Sequence, residues 1–183
     1  MNAGKSTLLL QTAFNYKEKG LIPVLFVPNI SKKKKFISYI ISRIGLQQSV
    51  IPINDLAFDL YFYIKNRLSF HENIACVLVD EVHLLKKEHI FNLIKIVDVL
   101  NIPVFTYGLR SDFLGKPFEG SLLLLMLADR LLEVETVCFC GKKASMTIRI
   151  NKHKKRVFKG IQIKLGGNEL YFSLCRKHFF SKP

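Results

Sequence analysis

Two short segments of the sequence carry residue types that handle phosphate groups. Gly4-Lys5-Ser6, near the start of the chain, matches the end of a P-loop, in which backbone N–H groups surround the phosphates, the lysine reaches the β- and γ-phosphate oxygens and the serine hydroxyl goes to Mg²⁺. Asp80 and Glu81 follow the apolar run at 74–79, which is the pattern of a buried parallel strand that delivers carboxylates at its C-terminal end. Together, the two segments indicate nucleotide chemistry.

The two carboxylates suit different tasks. Asp80 is expected to hold Mg²⁺, usually through a water molecule, so that the metal neutralises charge on a transferring phosphoryl group. Glu81 can orient a water molecule for hydrolysis, or it can accept the proton of a substrate hydroxyl that receives the phosphoryl group. A surface acidic pair that caps the next helix is the structural alternative, but the P-loop residues favour the nucleotide interpretation.

The P-loop pattern is incomplete on its N-terminal side. The full motif is G-x-x-x-x-G-K-[ST], and counting back from Gly4 places its first glycine before Met1. The strand that leads into such a loop falls there too. We therefore expect the sequence to be truncated at its N-terminus, and a sheet without this strand to have a gap in its middle with unpaired backbone groups beside it. A chance Gly-Lys-Ser-Thr at the start of an ordinary helix is the alternative.

Four residues near the C-terminus have the types and spacing of a structural zinc site. Cys175 and His178 have the ordinary C-x-x-H spacing, whereas Cys138 and Cys140 stand closer together than the usual C-x-x-C. Closed zinc sites use four such ligands, and free intracellular thiols are the alternative. A metal here would brace the loop between the two pairs, in which 166–171 combines glycines with an aromatic ring able to lie against a base.

The hydrophobic pattern places these residues on alternating helices and strands. It predicts helices at 6–19, from an N-cap at Asp55 to 67, at 86–100 and at 121–128, and strands at 21–27, 74–79 and 102–107. Such alternation implies right-handed crossovers and an α/β fold, with a parallel sheet covered by helices on both faces. A basic, β-rich tail follows, so we expect a nucleotide-binding domain over 1–134 and a small zinc-binding domain over 135–183.

Length and composition fit an intracellular globular protein. The 183 residues suffice for one domain with a small appendage, and 49% of them are hydrophobic, which argues against disorder. No uncharged apolar stretch approaches the roughly 20 residues needed to cross a bilayer, and the N-terminus lacks the features of a signal peptide. We therefore expect a cytoplasmic protein without membrane association.

The net charge of +14 has two interpretations. Clustered lysines and arginines bind nucleic-acid phosphates, but abundant Lys, Ile, Phe and Asn together are also typical of AT-rich genomes. The second interpretation is favoured, so that 32–35 and 152–159 are expected to be solvated and no nucleic-acid partner is favoured. His71, His89 and His153 have no convincing partners and are expected at the surface.

A helicase-like protein is an alternative from another class. Asp80-Glu81-Val82-His83 spells the D-E-x-H box of nucleic-acid helicases, and a basic chain would suit one. Size argues against this function, because a helicase motor needs two such domains. A basic, zinc-containing nucleic-acid-binding protein and an inactive remnant that still folds also stay open.

Five colinear segments resemble the type II thymidine kinase family. They are its P-loop at 1–7, its strand-borne D-E-x-Q segment at 77–83, the loop after its next strand at 107–113, and the two halves of its zinc-bound lasso at 138–146 and 166–178. The match runs in one order over nearly the whole chain. It implies a P-loop NTPase fold of the RecA-like type, with a small C-terminal zinc ribbon or lasso. The family's Gln and Phe after the Asp-Glu pair are His83 and Leu84 here.

The resemblance implies a reaction and a set of site residues. Members of the family transfer the γ-phosphoryl group of ATP to the 5′-hydroxyl of thymidine, which produces dTMP for nucleotide salvage. By resemblance Glu81 is the general base, while Ser6 and Asp80 serve Mg²⁺. The implied ATP site consists of Met1, Asn2, Ala3, Gly4, Lys5, Ser6, Thr7, Asp80, Glu81, Val82 and His83.

The lasso of the family covers the nucleoside. Its candidate aromatic walls here are Phe113, Phe118 and Tyr171, and Gly167 and Asn168 are also expected to bind the substrate. Its structural Zn²⁺ is implied to bind Cys138, Cys140, Cys175 and His178. The resemblance further implies a homotetramer or homodimer, and dTTP as a feedback inhibitor.

Overall fold

The computed structural model describes residues 3–29, 39–42 and 44–181. In chain order, its elements are α1 (Lys5–Glu18), β1 (Ile22–Pro28), β2 (Tyr39–Ile41), β3 (Gln47–Ser49), β4 (Ile51–Ile53), α2 (Leu60–Ser69), β5 (Ile74–Val79), a 3₁₀ turn (Val82–Leu84), α3 (Lys87–Leu100), β6 (Val104–Thr106), α4 (Glu119–Leu127), β7 (Met146–Arg149), β8 (Tyr171–Leu174) and α5 (Arg176–Phe180). The lysine cluster at 32–35, which is predicted to be solvated, lies outside the described residues. So do Met1 and Asn2 of the predicted ATP site.

The main sheet has four parallel strands in the order β4-β1-β5-β6. Phe26 of β1 pairs with Val79 of β5, and Val79 pairs with Thr106 of β6. Each strand therefore hydrogen-bonds directly to the next, so the expected gap in the middle of the sheet was wrong. The reason is topological: the crossovers through α2 and α3 place β1, β5 and β6 side by side, with β6 at an edge of the described sheet.

Helices cover both faces of this sheet, as predicted. On one face, Leu9 and Ala13 of α1 pack in one buried cluster with Cys76 and Leu78 of β5. On the other face, α2 and α3 pack against the alternate residues of the same strands, including Val77. Because β5 is buried on both sides, its sequence is a continuous apolar run. The parallel α/β fold with helices on both faces is confirmed.

The predicted element boundaries agree with the structure to within two residues, except at the start of α2. The Asp59 side chain accepts a 2.8 Å hydrogen bond from the backbone N–H of Phe62, as an N-cap does. The predicted N-cap, Asp55, lies in the irregular segment before the helix, so that prediction was wrong. Both aspartates are of a residue type that is preferred at N-caps. The path of the chain after β4 determines that the helix begins after Asp59 and not after Asp55.

The C-terminal part is a small antiparallel ribbon. Met146 of β7 pairs with Leu174 of β8, and α5 follows directly. Residues 150–170, which connect the two strands, are called the lid loop below. The ribbon has its own small buried cluster, formed by Cys138, Ala144, Leu174 and Cys175. The lysines within 152–159 are exposed, as predicted.

Of the three histidines expected at the surface, His71 and His153 are exposed, but His89 is buried on α3. Its Nε2 lies 3.1 Å from the carbonyl oxygen of Asp55. A carbonyl can only accept, so Nε2 carries the proton, and the prediction for His89 was wrong. Among the described residues, no helix combines the length and apolar character needed to cross a membrane.

Candidate active site

The geometry of the turn before α1 suits the binding of an anion. Gly4 is the N-cap of α1 and has φ +79°, in the left-handed region that favours glycine. The first N–H groups of a helix have no partners within the helix, and the positive end of its dipole lies there. This is the arrangement that binds phosphate groups at helix N-termini.

The first turn of α1 touches the carboxyl end of β5. The Ser6 hydroxyl donates a 2.8 Å hydrogen bond to Oδ2 of Asp80. Oδ1 of Asp80 accepts a second one, at 2.9 Å, from the backbone N–H of Glu81. The structure thus brings together the turn before α1 and the carboxylate pair, although 74 positions separate Ser6 from Asp80.

Asp80 is a buried carboxylate, only 4% exposed. Burial raises its pKa, while the hydrogen bonds from Ser6 and Glu81 and the charge of Lys5 act in the opposite direction. A buried carboxylate beside a hydroxyl offers the hard oxygen ligands that Mg²⁺ prefers. The donor set therefore fits a magnesium ion.

Glu81 stands at the opening of the site. Its backbone has φ +51°, in the left-handed region that is uncommon for residues other than glycine. The Glu81 side chain is 45% exposed, in contrast to that of Asp80. Desolvation raises the pKa of Glu81, the neighbouring charge of Asp80 raises it further, and Lys5 lowers it. Glu81 thus has the exposure and the basicity needed to take a proton from a substrate.

His83 is a neutral, buried anchor for the loop that follows β6. Its Nδ1 accepts a 3.3 Å hydrogen bond from the backbone N–H of Leu109 and lies 3.5 Å from Oε2 of Glu81. Burial, together with the charge of Lys5, lowers its pKa to about 3. Because the Leu109 N–H occupies Nδ1, the contact with Glu81 joins a carboxylate to a neutral ring and is not an ion pair.

Val82, the first residue of the 3₁₀ turn, faces inward as well. Val82 is buried in the core beneath the sheet edge. Gly108 passes so close that a Cβ atom on it would lie 3.0 Å from Cγ1 of Val82 and 3.1 Å from the backbone nitrogen of His83. Val82 and His83, which the resemblance assigns to the ATP site, are therefore buried next to the carboxylate pair, where they contact the loop that follows β6.

Two of the three predicted aromatic walls, Phe113 and Phe118, are buried, whereas Tyr171 is partly exposed. Phe118 packs edge-on against the ring of His83, with 4.5 Å between ring centroids. Phe113 lies under the guanidinium group of Arg149, whose central carbon is 3.7 Å from the ring centroid. Phe118 thus contacts the carboxylate site through His83, and Phe113 contacts the C-terminal ribbon.

The predicted lid residues lie together at the C-terminal end of the lid loop. The carbonyl of Gly167 accepts hydrogen bonds from the N–H groups of Leu170 and Tyr171, at 3.1 and 3.0 Å. Asn168 is exposed between them. The Tyr171 hydroxyl donates a 2.7 Å bond to the carbonyl of Lys164, so this ring ties the lid loop to the start of β8.

Three residues that the sequence analysis did not single out connect the lid loop to the rest of the molecule. Asp112 and Arg149 are buried, and Gln162 donates to Asp112 from a position 50 residues further along the chain. Asp112 stands in a glycine-punctuated loop where an Asp is typical of a turn, and in the 107–113 segment that resembles the family. Arg149 lies in a segment that alternates apolar and polar residues, which is typical of a strand but does not show which partner the arginine has, and Gln162 lies in a segment without a recognisable pattern.

The predicted zinc ligands form one cluster. The ligand atoms of Cys138, Cys140, Cys175 and His178 all lie within 4.8 Å of one another. Nδ1 of His178 is 3.4 Å from Sγ of Cys138 and 3.3 Å from Sγ of Cys175, and the Sγ atoms of Cys140 and Cys175 are 3.9 Å apart. A tetrahedral zinc ion places two sulfurs about 3.8 Å apart and a sulfur and a nitrogen about 3.6 Å apart. The spacing therefore fits zinc.

The electrostatics of the cluster also suit a metal. Burial alone would raise the pKa of the Cys138 thiol, but hydrogen bonds from the backbone of Cys140 and Cys175 and from His178 lower it to about 6. The thiolate is the form that binds metal. The ring of Phe139 stacks on His178, with centroids 4.5 Å apart, and fixes the orientation of the imidazole.

Comparisons with known proteins agree with this site. A family model described as "Thymidine kinase" matches residues 1–179. Similar proteins named "Thymidine kinase" include one from Vibrio vulnificus strain CMCP6, 47% identical over 98% of this chain and 92% of the relative's length. Another, from Aliivibrio fischeri, is 46% identical with the same coverage, and one from Coxiella burnetii is 45% identical over 98% of this chain and 90% of its own. The chain belongs to the thymidine kinase family.

Proposed function

We propose that this protein transfers the γ-phosphoryl group of ATP to the 5′-hydroxyl of thymidine. The observation that carries the proposal is the hydrogen bond from Ser6 to Asp80. It means that one magnesium ion and one triphosphate can be held by the α1 turn and the β5 carboxylate at the same time. The similar proteins named for thymidine phosphorylation support the choice of substrate.

The residues of the chain divide the work as follows. The N–H groups after Gly4 and the ammonium group of Lys5 hold the phosphates, and Ser6 with Asp80 would hold Mg²⁺, which neutralises charge on the transferring group. Glu81 takes the proton of the 5′-hydroxyl as that oxygen attacks. Desolvation makes Glu81 a stronger base than an ordinary glutamate, as this step requires.

The C-terminal part acts as the cover of the nucleoside. We assign 1–134 to nucleotide binding and 135–183 to a lid that carries a structural zinc ion on its Cys138, Cys140, Cys175 and His178 cluster. The zinc would hold the base of the ribbon together, so that the lid loop starts and ends at fixed points. Phe113, Phe118, Gly167, Asn168 and Tyr171 stay predictions for the nucleoside pocket, as do dTTP inhibition, a homotetramer or homodimer, and a cytoplasmic location.

The direct test supplies the purified protein with ATP, Mg²⁺ and thymidine and measures dTMP. We expect dTMP to form in proportion to ADP. ATP hydrolysis that is stimulated by single-stranded DNA or RNA, without any dTMP, would overturn the proposal in favour of a nucleic-acid-dependent ATPase. No turnover of either kind, in a folded and zinc-loaded preparation, would indicate an inactive family member.

A further inference from the structure

We propose that Gln162 and Arg149 form a latch that fixes the lid loop on the loop at 109–118, and that both are positioning residues for the nucleoside. The inference rests on the proposed function, since it concerns where the lid sits when thymidine binds. It assigns a role to contacts that lie outside the carboxylate site and outside the cysteine cluster.

The first half of the latch is an amide with two acceptors. Nε2 of Gln162 lies 3.1 Å from Oδ2 of Asp112 and 3.2 Å from the carbonyl oxygen of Pro117. An amide NH₂ group has two hydrogens, so it can donate to both oxygens. Although Gln162 is exposed overall, the NH₂ group of its side chain is directed at the 109–118 loop.

Asp112 presents its oxygen in a fixed position. Its Oδ1 accepts hydrogen bonds from the backbone N–H groups of Leu114 and Lys116, at 2.8 and 2.9 Å. These bonds order the loop and leave Oδ2 for Gln162. Since Asp112 is buried, its carboxylate needs such donors to offset desolvation. Gln162 therefore completes the set of partners for a buried charge.

The second half of the latch is Arg149, at the end of β7. It is 4% exposed, its guanidinium lies over the ring of Phe113, and its Nη1 donates a 2.8 Å hydrogen bond to the carbonyl of Ile161. The backbone of Gly160 passes so close to this guanidinium group that a Cβ atom on Gly160 would lie 2.7 Å from Nη2 of Arg149. Residues 160–162 are thus held by Arg149 on one side and by Asp112 on the other.

The latch has a direct connection to the reacting groups. Phe113 and Phe118 belong to the loop that Gln162 grips, and Phe118 contacts His83, which lies beside Glu81. The position of the lid loop is therefore set relative to the general base. Loss of the latch should weaken thymidine binding, because the residues after 162 cover the nucleoside, while ATP binding at the α1 turn should change little.

The test uses Gln162→Glu, which keeps the size of the side chain but replaces the NH₂ donor with a carboxylate oxygen. That oxygen cannot donate to Oδ2 of Asp112 or to the carbonyl of Pro117. We expect the KM for thymidine to rise about 10- to 150-fold, as when a hydrogen bond to a charged group is lost, with the KM for ATP within about 2-fold of its original value. Gln47→Glu, on the exposed strand β3, is the matched control. Adding Asp112→Asn to Gln162→Glu should recover part of the loss, because the Asn keeps Oδ1 and offers an N–H donor to Glu.

A second measurement does not depend on kinase activity. Trypsin cleavage after Lys164, an exposed residue of the lid loop, should be faster in Gln162→Glu than in the original protein or in Gln47→Glu. If the original protein makes dTMP, but neither the KM for thymidine nor the cleavage rate changes, the latch is overturned. If it makes no dTMP yet the cleavage rate rises as expected, the proposed function fails while the contact itself stands.

Discussion

The hydroxyl of Ser6 donates to Oδ2 of Asp80 over 2.8 Å, and this bond joins the start of α1 to the end of β5. It is possible because parallel strands deliver their C-terminal ends to one edge of the sheet, where the helix N-termini also lie. A hydroxyl that already faces a carboxylate can contribute with it to the shell of one cation.

Replacing the proposed base should separate chemistry from folding. Glu81→Gln keeps the volume of the side chain but cannot accept the proton of the 5′-hydroxyl, so we expect kcat for dTMP formation to fall by about 10²- to 10⁴-fold. The thermal unfolding temperature should be nearly unchanged, since the Glu81 side chain is half exposed. Glu18→Gln at the exposed end of α1 is the control. Near-normal turnover in Glu81→Gln would remove this residue from the chemistry.

The rate should depend on pH in a direction set by Glu81. Its pKa is raised by desolvation and by the charge of Asp80, and the base acts only when it is deprotonated. Activity is therefore present above this raised pKa and is lost as the pH falls through it. We expect the acid limb of kcat/KM for thymidine to have its midpoint above 4.5, the ordinary value for glutamate. A midpoint at or below 4.5, measured at saturating Mg²⁺ and ATP, would contradict the assignment.

The cysteine cluster makes a prediction about metal content. Elemental analysis of the purified protein should find about one equivalent of zinc per chain. Cys138→Ser should lose the metal and, with it, thymidine binding, because the ribbon that anchors the lid loop depends on the cluster. Cys76→Ala, in the core and far from the cluster in the fold, should keep its zinc. A metal-free preparation with full activity would show that the ribbon holds without zinc.

The start of α2 offers a test of the fold itself. Asp59→Ala removes the acceptor for the Phe62 N–H, and loss of such a cap costs about 1 kcal/mol of the free energy of unfolding. Asp55→Ala is the matched control, because the contacts of Asp55 with His89 and Phe58 use its backbone carbonyl. Denaturant unfolding would measure the free energy of unfolding of both variants. Equal decreases in the two would mean that Asp59 is not the N-cap of α2.

The elements that the sequence predicts well are those whose pattern is local. β5 is readable because burial on both faces makes it uniformly apolar, and its two carboxylates mark where it ends. Asp59 could not be preferred over Asp55 from type alone, since the chain path after β4 makes that choice. The burial of His89 was open to prediction, because it shares one face of α3 with Leu93 and Ile96, at spacings of four and seven.

Contacts between distant segments set the limit of prediction for the site. The bond between Asp112 and Gln162 joins positions 50 residues apart. Gln162 stands in no periodic segment, and the alternating pattern around Arg149 predicts a strand but not the contacts of the arginine. The cluster at 138–178 was predictable only because zinc requires few residue types at narrow spacings. The sheet order was not readable from strand patterns, which show that strands alternate with helices but not which strands become neighbours.

The position of β5 has a consequence for how this molecule can vary. Strands flank it on both sides and helices cover both of its faces, so its amide hydrogens should be among the slowest of the whole chain to exchange with deuterium. Among the residues that the structure describes, the carboxylates at its end therefore rest on a strand that is buried on both faces. Substitutions at exposed lid-loop positions away from Gly160 and Gln162 should have small local effects, whereas an added methyl group inside β5 should shift the two carboxylates at its end.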